Sequence, residues 1–185
     1  LRPRIRRKEN LVVNEDQAIT SAIGRFGGKD PAPLRELASE MTERYVPHLI
    51  DLADGEPKEQ QAATWILKDW TDRGHTLDGQ SASMLIGRAS RFEHWEATLH
   101  VLQMLGAGMA VPAHHVDEAI NILQANTVSE RPFLRAWAYY GLAAVARQHP
   151  QHRELVAGVL DAAADDPAGS VRARLKRARQ LLEKS

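Results

Sequence analysis

Leu134-Arg135-Ala136-Trp137-Ala138-Tyr139-Tyr140-Gly141-Leu142-Ala143-Ala144-Val145 is the stretch that decides the fold. Counted from Leu134, small or apolar residues fall at +4, +7, +8 and +11, as Ala138, Gly141, Leu142 and Val145. At roughly 100° of turn per residue these positions share one face of a helix. Moving outward, the same template recurs. From Val171 it reads Leu175, Ala178, then Arg179 as the one misfit, then Leu182. From Glu59 it reads Ala63, Ile66, Leu67 and Trp70, and from His94 it reads Thr98, Val101, Leu102 and Leu105.

The four starts, at 59, 94, 134 and 171, lie 35 to 40 residues apart. A period of this length marks stacked helix pairs, each too small to bury its apolar face alone. The expected fold is all-α: a right-handed α-solenoid of about four antiparallel helix pairs, with an N-terminal capping helix. Residues 1–13 are expected to form a basic extended arm. Residues 14–185 form a single repeat domain, with repeats at about 32–72, 78–107, 112–148 and 151–184. Another α-solenoid and a globular helical bundle are the competing architectures.

Composition agrees with helices. The chain has 185 residues, 43% of them hydrophobic, and many of these are alanines suited to close helix packing. No stretch approaches the ~20 apolar residues of a membrane-spanning helix. The absence of cysteine excludes disulfides, thiolate chemistry and cysteine-based metal sites, and the expected location is cytoplasmic. Leu1 stands where an initiator methionine would, so the chain is expected to be open to a lost leader or a larger parent. The net charge of zero is unevenly spread. Residues 1–10 carry +4, residues 11–128 carry −8 from 9 basic and 17 acidic side chains, and residues 129–185 carry +4.

Along the chain, Asn14 reads as an N-cap, followed by Glu15 and Asp16 where carboxylates suit the helix dipole. Ile19, Ile23 and Phe26 then form one stripe, closed by Gly27 and Gly28. Pair one opens after Pro33 with a kink or break expected at Pro47, and its second helix runs from the Asp54–Pro57 turn to about Trp70. Helices are expected at about 79–90 and 94–106, 113–125 and 131–148, and 152–163 and 168–183.

Val46-Pro47-His48-Leu49-Ile50-Asp51-Leu52, followed by Ala62-Ala63 and Ile66-Leu67, resembles the HEAT repeat. So do Asp166-Pro167 with Val171-Arg172, Leu175 and Ala178, and Leu134-Arg135 with Ala138 and Gly141-Leu142. The resemblance covers about residues 32–184. It departs where Glu59-Gln60 and His94-Trp95 replace the Val-Arg pair and where Ala89 and Ser129 replace the turn aspartate. A continuous ladder of aspartate–arginine links is therefore not expected. A tetratricopeptide reading of Trp137-Ala138-Tyr139-Tyr140-Gly141 meets Ala144 where a tyrosine belongs, and the motif does not recur.

No constellation of residues carries chemistry. Glu96 and His100 share a helical face at i,i+4, short of the three or four ligands that zinc needs. His114 and His115 are adjacent and point apart. The HEAT-type deoxyhypusine hydroxylases hold iron with His-Glu dyads, and no His-Glu dipeptide occurs here. There is no Gly-x-Ser-x-Gly and no phosphate-cradling glycine loop. The chain is read as a non-enzyme without catalytic residues, metal or cofactor.

The resemblance implies that the second helix of each pair lines a concave groove. Helical geometry then nominates partner-binding residues: Gln61, Trp65 and Lys68 from pair one, and Glu96, His100 and Gln103 from pair two. Tyr139, Tyr140 and Arg147 follow from pair three, with Lys176 and Arg177 from pair four. Tyr139, Tyr140, Gln103 and Lys68 are expected to be exposed on one surface, with Trp65 and His100 at its edge, and Trp137 to pack towards a neighbouring repeat. A polar, mixed-charge surface with aromatic residues suits a protein or peptide partner. The expected function is a scaffold for protein–protein interaction. The alternative is a nucleic-acid-binding protein related to the HEAT-like alkylpurine DNA glycosylases, suggested by Arg172, Arg174, Lys176, Arg177 and Arg179 on the last helix. Against it, the net −8 of the middle segment repels phosphates.

Overall fold

The computed structural model describes the backbone of residues 4–184, with side chains from Glu15 onward. Ten helices make up the described residues, without a strand among them. They are α1 Arg4–Phe26, α2 Ala32–Glu40, α3 Tyr45–Leu52, α4 Pro57–Asp72 and α5 Gly79–Ala89, then α6 Trp95–Gly106, α7 Val116–Asn126, α8 Pro132–Gln148, α9 Arg153–Ala162 and α10 Gly169–Glu183. Single 3-10 turns at Ala113–His115 and Pro150–His152 lead into α7 and α9. No described helix is long and apolar enough to cross a membrane.

Two expectations for the N-terminal part are corrected. Helix α1 begins at Arg4, so the stretch read as an extended arm is helical from there on, and Asn14 lies inside the helix instead of capping it. Arginine, lysine, glutamate and leucine are all good helix formers, so the basic segment continues the helix without needing periodicity of its own. Residues 1–3 of that arm lie outside the described residues. The break in pair one falls at residues 41–44, ahead of Pro47. Pro47 is then the third residue of α3, where a backbone N–H has no intrahelical acceptor, and its ring has no preceding turn to clash with. The proline sets where α3 starts.

Helix starts elsewhere carry local signals. Asp78 caps α5 by accepting the Ser81 N–H at 2.7 Å. The Glu56 N–H at the head of α4 donates to the Glu59 carboxylate at 3.0 Å.

The packing follows the template. Helices α4, α6, α8 and α10 lie side by side in one row, and α3, α5 and α7 form a second row against it. Rungs α3–α4, α5–α6, α7–α8 and α9–α10 join the rows, while α1 and α2 cover the open side of α4. Leu67, Leu102 and Leu142, all at template position +8, are completely buried between the rows. Arg179 holds that position in the last copy and sends its guanidinium to the Leu160 carbonyl at the end of α9, 2.9 Å away. A cation there complements the negative end of the helix. Between α6 and α8 the approach is close. A Cβ on Gly106 would sit 3.0 Å from Tyr140 and 3.2 Å from Trp137, and one on Gly141 would stand 3.6 Å from the Leu102 carbonyl of α6 and collide with Leu123 of α7.

The residue one past each template start links its pair to the next. Gln60, almost fully buried, donates to the Gly55 carbonyl at 3.0 Å and accepts the N–H groups of Glu93 and His94 at 2.9 and 3.1 Å. Trp95 takes the Arg131 guanidinium over its ring, 4.4 Å from the centroid. Arg135 grips Asp166 through two hydrogen bonds of 2.8 and 3.0 Å and the Ser129 carbonyl through a third of 2.7 Å. Arg172, in the last copy, turns back onto the carbonyls of Asp166 and Pro167. One position thus serves each joint with a different chemistry, and at that position only the link from Arg135 is an aspartate–arginine pair; from other positions, Asp51 and Asp54 of pair one meet Arg88 and Arg91 of pair two at 2.8 Å.

Candidate functional site

Helices α4 and α6 present the same face to one cleft. On α4 the spacing i, i+4, i+7 brings Gln61, Trp65 and Lys68 into line, and on α6 the same spacing aligns Glu96, His100 and Gln103. All six line a cleft of about 310 Å³, closed at one end by the α1–α2 connection. Gln61 donates to the Glu96 carboxylate across the two helices. Arg35 of α2 lies 5.9 Å from the centre of the Trp65 ring, and Lys68 pairs with Asp72 on its own helix.

His100 is the unusual member. Only 7% of it is exposed, and burial pushes its imidazole down to about 3, with the nearby charges of Lys68 and His94 adding to the effect. The ring is therefore neutral at physiological pH. The fully buried Thr64 hydroxyl lies 2.7 Å from the Gln60 carbonyl and 2.9 Å from His100 Nδ1, which ties the ring to α4. His100 Nε2 has no hydrogen-bond partner among the described residues. The cleft therefore combines a neutral imidazole, an indole face, an ammonium, a carboxylate and amide groups from Gln61 and Gln103.

The other five candidates do not join this cleft. Tyr139 is buried, and its hydroxyl donates to the Thr127 carbonyl at 3.3 Å, which corrects the expectation that it is exposed on a shared surface. That bond reaches from α8 to the C-terminal end of α7. Tyr140 is half-buried rather than exposed, edge-on to Trp137 with ring centres 5.9 Å apart. Gln103 and Lys68 are likewise half-buried, and His100 lies beneath the cleft instead of at an edge. Arg147, Lys176 and Arg177 are exposed. Trp137 packs towards α10, where Arg174 lies 3.9 Å above its ring and 5.4 Å from that of Tyr140.

Sequence reasoning missed Gln60 and Thr64, which position His100 and the head of α6. A usable signal existed for Gln60, because it occupies the template position that Arg135 fills in pair three. Among the described residues no group of three or more histidine, aspartate or glutamate side chains is arranged to hold a metal. No protein-family model, curated protein or solved structure matches this chain.

Proposed function

We propose that the helix pairs stack as a right-handed, HEAT-like solenoid and that the protein is a non-enzymatic scaffold. Its partner is a protein or peptide segment held on the face made by α4 and α6. One observation carries this reading: six side chains from two successive helix pairs converge on one cleft and offer it both donors and acceptors. An extended peptide has what such a surface needs, backbone N–H and carbonyl groups for the neutral His100 ring, Lys68 and Gln103, and side chains for the Trp65 face. A nucleic-acid strand fits less well. Glu96 stands in the cleft, and the cations of α10 lie outside it.

The test is selection of random peptides on phage against the immobilised protein, with the selected sequences measured by calorimetry. Charge reversal at Lys68→Glu and truncation at Trp65→Ala should each weaken the selected peptides by at least about tenfold while the fold stays helical. Peptides that bind both variants as tightly as the parent would show that the cleft is not the binding face. Tight, salt-dependent binding of duplex DNA, with no peptide selected, would favour the glycosylase-like alternative.

A further inference from the structure

The polar groups on the α6 wall of the α4–α6 cleft are unspent. His100, with a relative exposure of 7%, is tied to Thr64 through Nδ1, and its Nε2 has no partner among the described residues. The fully enclosed side-chain nitrogens and oxygens without a partner among those residues belong to Trp70, Arg88 and Arg179, so Nε2 stays open to the cleft that the ring lines. One turn earlier, Glu96 accepts the Gln61 amide on one oxygen, and its other oxygen has no partner among the described residues. One turn later, the half-buried Gln103 side chain makes no hydrogen bond among them, although its amide can donate twice and accept. The spacing i, i+4, i+7 sets the three groups side by side on one helix face.

Charge selects against an ion. Lys29, exposed and without an ion pair among the described residues, and Lys68, held by Asp72, line the cleft together with Glu96. A cation entering it meets two ammonium groups, and an anion meets the Glu96 carboxylate. The imidazole adds no charge of its own, because burial keeps it neutral at physiological pH. What fits is a neutral group that both donates and accepts. A trans backbone amide points its N–H and C=O in opposite directions, whereas a primary carboxamide carries an N–H and the C=O on one edge. Laid along α6, that edge suits either state of the ring. If Nε2 is bare, the ligand N–H donates to it and the ligand carbonyl accepts from Gln103. If Nε2 carries the hydrogen, the ligand carbonyl accepts it and the ligand N–H donates to Glu96 or to the Gln103 carbonyl.

We propose that this cleft receives the side-chain carboxamide of a glutamine in the peptide partner, an inference that rests on the α4–α6 cleft being the peptide-binding face. At about 310 Å³ the space stands at the small end of ligand clefts and holds one side chain with its own backbone. His100 lies beneath the half-buried residues of the cleft, so the amide has to be carried inward past the Trp65 ring. The two methylenes of glutamine supply that reach and give the indole an apolar surface to cover.

The test uses the full chain labelled with ¹⁵N and titrated with Nα-acetyl-glutamine N-methylamide, whose only primary amide is the side chain. The readout is the indole N–H resonance of Trp65, assigned by its loss in Trp65→Phe. The expected result is a saturable shift in the millimolar range. The methionine analogue keeps the side-chain length without its hydrogen bonds, and the glutamate and lysine analogues carry a charge; each should bind about tenfold more weakly. Gln103→Met, at a half-buried residue, should weaken the glutamine compound several-fold. His100→Phe, at a buried position, serves as a second variant if its amide spectrum remains native. Binding of the methionine, glutamate or lysine analogue as tight as that of the glutamine compound, or unchanged binding in Gln103→Met, would overturn the proposal. The alanine analogue separates the two levels. If it binds as tightly as the glutamine compound, the peptide face stands and its preference for glutamine fails. If no compound shifts Trp65, the preference fails, and the phage selection decides separately whether the face binds peptides.

Discussion

The joint between α4 and α6 and the joint between α8 and α10 stand at equivalent places in the structure and hold by opposite means. The first has no ion pair among the described residues: the Gln60 amide spans the turn before α6, Thr64 meets an uncharged His100, and Gln61 donates to the Glu96 carboxylate. The second is ionic: Arg135 grips Asp166, and Arg174 covers the rings of Trp137 and Tyr140. Intuition assigns acid sensitivity to the ionic joint, but the physics reverses it. Burial holds the His100 imidazole at about 3 against 6.5 for a free ring, so the folded state binds fewer protons than the unfolded state across that interval. Stability from this joint is full above 6.5 and falls continuously towards 3. Asp166 is held below the ordinary carboxylate value of 3.8, first by its bond to Arg135. Its contribution is intact above 3.8 and is lost only as pH drops through the depressed value. The joint without an ion pair is the one that acid loosens first.

The comparison can be broken at several levels. Leu67 and Leu142 occupy the same template position and are fully buried in the two halves. Replacing either by alanine should cost about 2–5 kcal/mol, and by similar amounts, in urea unfolding followed by circular dichroism. A large inequality would mean that the two halves differ in their cores and not merely in their joints.

Asp166→Ala strands the largely buried Arg135 guanidinium and should cost about 2–4 kcal/mol, the larger effect of the two joint variants. Gln60→Ala removes a neutral amide and leaves two backbone N–H groups without their acceptor, for about 1–3 kcal/mol. The same unfolding experiment ranks them, and a reversed order would contradict the account of what each joint holds.

Between pH 6.5 and 5 the parent should lose stability at up to about 1.4 kcal/mol per pH unit through His100, and His100→Gln should flatten that slope. An unchanged slope in the variant would mean that the imidazole is protonated in the folded state. Smallest of all, Arg177→Ala should shift stability by no more than about 0.5 kcal/mol, since its side chain is exposed on α10 and away from both joints.

The repeating template carried the helices well because it records burial, and burial is periodic. Helices expected at 79–90 and 94–106 are found at Gly79–Ala89 and Trp95–Gly106. Pro47 misled because a proline signals a boundary without saying on which side of it the chain breaks. The state of His100 was unreadable for a different reason: it is set by burial between helices, and its hydrogen-bond partner, Thr64, lies 36 residues away on another helix. Tyr139 likewise faces a carbonyl supplied by the end of α7. The grouping of Gln61, Trp65 and Lys68 with Glu96, His100 and Gln103 was legible because each trio follows helical spacing. The separation of Tyr139 and Tyr140 from them was not, since it depends on how α8 rotates against its neighbours.

The position that links each pair to the next also acts as an address. Gln60 reads two free N–H groups, Trp95 reads a cation, and Arg135 reads a carboxylate, so no two turns are interchangeable. A helix pair that docked out of order during folding would leave Arg135 without a carboxylate or set Trp95 against a turn with no arginine. Helix pairs built on one template would otherwise compete for the same neighbours. With three unlike links, a misplaced pair would forgo the contact that its proper neighbour supplies.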